Sequence, residues 1–262
     1  MTEPLLTYVP PEGLLQDRVI LVTGAAMGIG RAAALAYARF GATVVLLDKQ
    51  VALMEQVYDE IEAMGAPEAA IYPLDMQGAS ATDYEAMAAN LQDQLGRLDG
   101  VLLNAAWLAA FMSVRQHGVD LWFKMINVNL HANFMLVRAC LPLLEAAPDP
   151  AIVFSAEASG KALQGAFGVA KAGMDGFCQT LAQEYDRERH FMRVNRIDTG
   201  PVRTSTRVMN FPGENPDTLV KPASVVGPYL FYMGPDAGRR TNELCRWGRL
   251  PVDFVWPGEV QS

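Results

Sequence analysis

Eight consecutive residues near the start of the chain carry the clearest chemical signal: Thr23-Gly24-Ala25-Ala26-Met27-Gly28-Ile29-Gly30. Glycines at this density let a chain turn sharply and bring its backbone N–H groups against a ligand. If a helix opens at that point, its N-terminus adds partial positive charge, and the whole suits a pair of phosphates. A glycine-rich turn alone is a weak signal. Here an apolar run, Val19-Ile-Leu-Val22, leads into the turn, a helical pattern follows it, and Asp48 stands at the end of the next apolar run. That context points to a dinucleotide, because a carboxylate there accepts hydrogen bonds from the adenosine ribose hydroxyls. The same carboxylate repels a 2′-phosphate, so NAD(H) is expected rather than NADP(H). Lys49 follows directly and keeps NADP(H) as the lesser alternative. Asp75, past a third apolar run, is placed either to receive the adenine amino group or to close a turn.

The elements that would position these residues alternate along the chain. Strands are expected at 19–23, 43–47, 70–74, 98–103, 151–155 and 191–197. Helices are expected at 28–40, 54–64, 118–146, 165–189 and 223–233. Another, with Met87, Leu91 and Leu95 on one face, is opened by a capping box, Thr82-Asp-Tyr-Glu85. Continuous apolar strands alternating with helices predict an α/β fold: a Rossmann-like, doubly wound parallel sheet with helices on both faces. The ligand then sits at the carboxyl ends of the strands. The 262 residues suit one domain. Residues 1–17 form an arm that packs through Leu14 and Leu15, 202–222 a mobile loop over the ligand, and 236–262 an irregular tail.

Composition narrows the partners. The chain is 51% hydrophobic and carries a net charge of −8 without a basic cluster, which argues against nucleic acid and anionic membranes. No apolar run reaches the ~18 residues of a membrane span, and no secretory signal is expected from the first residues. Cys140, Cys178 and Cys245 are odd in number and widely spaced. They read as free buried thiols in a reducing compartment, so a cytoplasmic protein is expected. His117, His131 and His190 show no ligand spacing, and no metal site is expected.

Taken together, from Asp17 to about Pro235, the chain resembles the short-chain dehydrogenase/reductase family. The family's Thr-Gly-x-x-x-Gly-x-Gly is complete as Thr23, Gly24, Gly28 and Gly30. Its Asn-Asn-Ala-Gly appears as Leu103-Asn104-Ala105-Ala106, which keeps one asparagine. Its helical catalytic asparagine matches Asn129, its Tyr-x-x-x-Lys appears as Phe167-Gly-Val-Ala-Lys171, and its later threonine matches Thr204. The family serine falls on Glu157, in a segment about three residues short. The resemblance implies cofactor contacts at Met27, Ile29, Asp75, Met76, Asn104, Ala105, Lys171 and Thr204 as well as at the glycine turn. It also implies a homodimer built on the 118–146 and 165–189 helices, whose apolar faces could equally cover the sheet.

The departures bear on catalysis. In the family, the tyrosine exchanges a proton with the substrate oxygen. A phenol with a pKa of about 10 needs a nearby ammonium to do so, which places the lysine one helical turn away. Phe167 keeps the ring and loses the proton, a change worth ~10²–10⁴ in rate. Glu157, if ionised, repels a developing alkoxide. The expectation is an NAD(H)-binding protein in which ordinary alcohol or ketone hydride transfer is impaired. Two alternatives stay open: an active enzyme using Glu157 and Lys171 or a shifted Ser155 or Ser159, and a non-catalytic scaffold or nucleotide-sensing regulator.

Overall fold

The computed structural model describes residues 3–259. Seven parallel strands form one sheet in the order β3-β2-β1-β4-β5-β6-β7. They are β1 (Val19–Thr23), β2 (Thr43–Asp48), β3 (Ala70–Pro73), β4 (Gly100–Leu103), β5 (Ala151–Ser155), β6 (Arg193–Asp198) and β7 (Leu244–Arg246). The helices are α1 (Glu3–Leu6), α2 (Gly28–Arg39), α3 (Val51–Ala63), α4 (Ala81–Leu95), α5 (Val119–Ile126), α6 (Ala132–Ala146), α7 (Gly165–Tyr185), α8 (Ser205–Asn210) and α9 (Gly227–Met233).

Period-two alternation sends each central strand to two cores. Ile20, Val22, Val44, Leu46 and Val153 face the layer of α2, α3 and α9. Leu21, Val45, Leu47, Val101, Leu103 and Ile152 face the layer of α4, α6 and α7. Burial on both faces explains why the strands read as unbroken apolar runs. The chain passes from β1 outward to β3, then crosses back to start β4 on the other side of β1. This reversal opens a crevice between the tips of β1 and β4, where a ligand can enter.

Several expected boundaries change. The capping box sits two residues earlier: Ser80 Oγ and the Ser80 N–H both meet Asp83 Oδ2 at 2.7 Å, so Ser80 and Asp83 replace Thr82 and Glu85. The expected 118–146 helix is interrupted by a π-helical turn, Asn127–His131. The 165–189 helix stops at Tyr185. The 202–222 segment is structured: Thr204 caps α8, its Oγ1 accepting from the Arg207 N–H, and two 3₁₀ turns follow. The tail is not wholly irregular, because it supplies β7. The arm packs as expected, with Leu14 and Leu15 buried beside Leu5 and Leu6. Trp256 of the tail donates to the Tyr8 carbonyl at 2.7 Å, and both clamp α9. The last three residues of the expected tail lie outside the described residues.

At the sheet end away from the crevice, Asp149 joins two strands. Its carboxylate binds Arg18, just before β1, and the buried Arg193 at the start of β6. These guanidinium groups hold its carboxyl below the ordinary carboxylate value against the opposing effect of burial. The three cysteines are free and buried. No described helix is long and apolar enough to cross a membrane, and no group of metal-ligating side chains occurs among the described residues. Of the helix faces expected to pair copies, Leu136, Leu144 and Leu181 cover the sheet, whereas Phe134 is half exposed and packs edge-on against Phe177.

Candidate functional site

Above the β1–β4 crevice lies a cavity of about 860 Å³. Its floor is built by the glycine turn. Gly24 and Gly28 adopt φ of +68° and +61°, in the left-handed region that side chains disfavour. Gly30 is required by contact: a Cβ there would lie 2.1 Å from the Gly24 carbonyl oxygen and 2.6 Å from Asn104 Nδ2. Thr23 does not reach the cavity. Its Oγ1 accepts from the Asn104 and Ala105 N–H groups, both at 3.0 Å, and donates to the Leu102 carbonyl. Thr23 thus locks the tips of β1 and β4 together.

The α2 N-terminus opens on this floor. Met27, in the capping position, gives no side-chain cap, and the first turn carries no acidic residue. Its N–H groups therefore face the cavity without an internal anion. Thr204 closes over them, its methyl 3.3 Å from the position a Gly28 Cβ would take. Asp48 lies at one side, held by the Gln50 N–H at 3.1 Å and the Ala26 N–H at 3.4 Å. A carboxylate has lone pairs beyond those two. Lys49 lines the cavity beside it. Asp75 accepts from the Gln77 N–H at 3.0 Å, so it closes a turn while also lining the cavity with Met76.

The other end of the cavity is framed by β5 and α7. Phe167 and Lys171 are neighbours on one face of α7, with Nζ 5.5 Å from the ring centroid. Lys171 Nζ donates to the Ser155 carbonyl at 3.0 Å. Glu157 sits past the end of β5, open to the cavity. Its desolvated surroundings raise its carboxyl pKa above the ordinary value; Lys171 pulls the other way and Asp198 adds to the rise. Burial likewise lowers the Lys171 ammonium, against the pull of Glu157 and Asp198. Both groups are therefore moved toward their neutral forms.

Thirteen of the sixteen candidates taken from the sequence line this one cavity: Gly24, Met27, Gly28, Ile29, Asp48, Asp75, Met76, Asn104, Ala105, Glu157, Phe167, Lys171 and Thr204. Thr23, Gly30 and Asn129 stand behind its wall. The Asn129 side chain sits in the π turn and is spent on backbone: Oδ1 accepts from the Trp107 N–H at 2.9 Å, and Nδ2 donates to the Trp107 and Met125 carbonyls, both at 2.8 Å. Val128 supplies the wall instead.

Asp198, Tyr229, Arg246 and Gly248 also line the cavity and escaped the sequence reading. Ser155, one of the two candidate hydroxyls, lines the cavity. Its Oγ lies 3.1 Å from both Asn104 Oδ1 and the Tyr229 hydroxyl. Asn104 Oδ1 can only accept, so Ser155 donates to it and receives from Tyr229. Ser159, the other candidate hydroxyl, does not line the cavity. Asp198 accepts from Arg246 Nε at 2.9 Å, which brings the tail to the site, and a Gly200 Cβ would meet the Gly248 carbonyl at 2.8 Å. Across the mouth, Phe211 packs edge-on to Phe111 at 5.0 Å. Beside it Arg207 stacks on Phe211 and bonds Glu214 at 2.6 Å.

Comparison with known proteins accords with this geometry. The family model for short chain dehydrogenases matches residues 18–215. The uncharacterized oxidoreductase YciK of Escherichia coli strain K12 is 38% identical over 238 residues, covering 90% of this chain and 93% of YciK. A structure from Pseudomonas syringae assigned to the short chain dehydrogenases superposes with a TM-score of 0.88 at 40% identity, covering 90% of this chain and 97% of the other. One of the same class from Shigella flexneri 2a, complexed with NADP, gives a TM-score of 0.85 at 37% identity, covering 89% and 98%. With a family model matched over most of its length and relatives near 40% identical over nearly the whole chain, the chain belongs to the short chain dehydrogenase family.

Proposed function

We propose that the protein binds a nicotinamide dinucleotide in this cavity and that ordinary alcohol or ketone hydride transfer is impaired. One observation carries the reading: an uncapped, acid-free α2 N-terminus faces the same cavity as Phe167 and Glu157. The residues present fit the cofactor. The α2 N–H groups and the Thr204 side meet the phosphates, Asp48 the adenosine ribose, Asp75 and Met76 the adenine, and Asn104, Ala105 and Lys171 the nicotinamide half. When bound, the dinucleotide supplies the hydride donor or acceptor. Phe167 has no proton to exchange, and the Tyr229 phenol, pushed far up by burial, is engaged with Ser155.

The Asp48 carboxylate favours NAD(H). Lys49 beside it, and the NADP complex of the Shigella flexneri relative, favour NADP(H) as the second reading. Titrating the purified protein with NADH and NADPH by calorimetry decides both points. Binding of NADH at least tenfold tighter supports the Asp48 reading, the reverse order supports Lys49, and binding of neither removes the proposal.

The raised carboxyl of Glu157 favours a further reading, in which Glu157 acts as the acid in a surviving reaction. Turnover that disappears in Glu157→Gln would establish it. We place the protein in the cytoplasm, on its free buried thiols, and as a homodimer through the half-exposed Phe134 face. Light scattering at micromolar concentration that gives a monomer mass would contradict the dimer.

A further inference from the structure

We propose that the reaction end of the cavity takes a protonated amine on an apolar body, held by the Glu157 carboxylate and the Trp107 ring, with Phe167 as apolar wall. The proposal rests on the reading of this cavity as a ligand site and names the chemical class of the second ligand.

Four carboxylates line the cavity, and three are already engaged. Asp48 and Asp75 accept from backbone N–H groups, and Asp198 accepts from Arg246 and the Gly200 N–H. Glu157 alone among them has no hydrogen bond or ion pair with the described residues, although it opens on the cavity. The cations around it are partly diverted. Lys171 Nζ turns to the Ser155 carbonyl, and Arg207 closes on Glu214. Lys161 is the remaining cation of that rim. A carboxylate that opens on the cavity and has no donor from the chain favours a ligand that brings its own.

Beside Glu157 the wall is aromatic. Phe167 and Trp107 belong to one packed cluster and both line the cavity. Phe167 is buried with Lys171 Nζ over its ring, so attraction of an ammonium to an aromatic face falls to the partly buried Trp107. The same pair of walls disfavours the anionic form of an alcohol: no phenol is there to share its proton, and Glu157 repels the oxygen. An amine ligand reverses both relations, since its N–H groups donate and its charge is of the opposite sign.

Three probes with one ring and different heads separate the possibilities: cyclohexylamine, cyclohexanol and cyclohexanecarboxylate, each titrated by calorimetry at pH 7 into the purified protein, with and without saturating NADH. Charge-assisted hydrogen bonds of this kind predict the amine to bind roughly 10- to 100-fold tighter than the alcohol, with the carboxylate weakest. Glu157→Gln should erase the gap between amine and alcohol, and Glu157→Asp should keep part of it. Equal affinities, a tighter carboxylate, no binding of any probe, or a gap that survives in Glu157→Gln would each overturn the proposal. The titration without NADH keeps the outcome separate from dinucleotide binding: loss of NADH binding alone sinks the cofactor reading and leaves the amine preference to be judged on its own data.

Discussion

Substituting Gly30 by alanine adds one methyl group where the backbone allows none. The new Cβ would lie 2.1 Å from the Gly24 carbonyl oxygen, 2.6 Å from Asn104 Nδ2 and 2.8 Å from the Gly24 carbonyl carbon. Ordinary contact begins near 3.4 Å, so the α2 N-terminus and the glycine turn must separate by about 1 Å. Two of these three obstacles are backbone, which cannot swing aside as a flexible side chain can. Overpacking of this kind costs about 1–3 kcal/mol in stability. The same displacement moves the N–H groups that would meet the phosphates, and dinucleotide affinity should fall by at least tenfold. The matched control is Gly176→Ala on the exposed side of α7, where a Cβ meets nothing within 4 Å. There alanine should stabilise by roughly 0.5–1 kcal/mol, because glycine is the poorer helix former. In this account thermal unfolding gives opposite signs for the two variants, and NADH calorimetry shows a loss in Gly30→Ala alone. A Gly30→Ala protein with unchanged melting temperature and unchanged NADH affinity would refute it.

Other consequences follow from neighbouring residues. Phe167→Tyr with Glu157→Ser places a phenol one turn from Lys171 and removes the repelling carboxylate. Turnover on a carbonyl and alcohol panel should rise by ~10²–10⁴ over the natural protein, and a flat response would show that the shortened 156–164 segment is disabled elsewhere. Asp149→Asn leaves the buried Arg193 without its counter-ion and should cost about 3 kcal/mol, read by urea unfolding. Because the folded Asp149 carboxyl lies below its ordinary value of 3.8, its contribution is complete above that value and is lost as pH falls through it toward the folded pKa. The stability gap between the two proteins should therefore close in acid; a gap constant from pH 7 to pH 3 would contradict the assignment. Tyr229→Phe removes the donor that holds Ser155 against Asn104. It should weaken NADH binding a few-fold with little loss of melting temperature, and a protein with unaltered NADH affinity would exclude a positioning role.

The glycine turn was legible in the sequence because each of its glycines answers a local demand, and the doubly buried strands because unbroken apolar runs have few other uses. β7 was not legible: Leu244-Cys-Arg is three residues long at an edge, with one buried side chain, and no periodicity can show in so short a run. The tail residues near Gly200 were missed for the same reason, since only the β6–β7 pairing brings them to the cavity. The Ser80–Asp83 box was overlooked in favour of Thr82 and Glu85, two pairs with identical spacing that only the helix start distinguishes. Tyr229 was not legible as a site residue, because it lies in an apolar helix and its hydroxyl meets Ser155 only across long sequence separation. Asn129 was assigned to the site from its resemblance to a motif, while its contacts are with the π turn and Trp107.

The central claim is a working dinucleotide cradle beside a reaction end that lacks its proton donor. Its most direct test is one preparation of the natural protein, first titrated with NADH and NADPH by calorimetry and then, at saturation, followed at the nicotinamide absorbance with a broad panel of ketones and aldehydes. The account predicts saturable binding of at least one reduced dinucleotide and oxidation of it at least a hundredfold slower than a Phe167→Tyr, Glu157→Ser protein achieves. Oxidation by the natural protein at ordinary enzyme rates, or the absence of any dinucleotide binding, would contradict it.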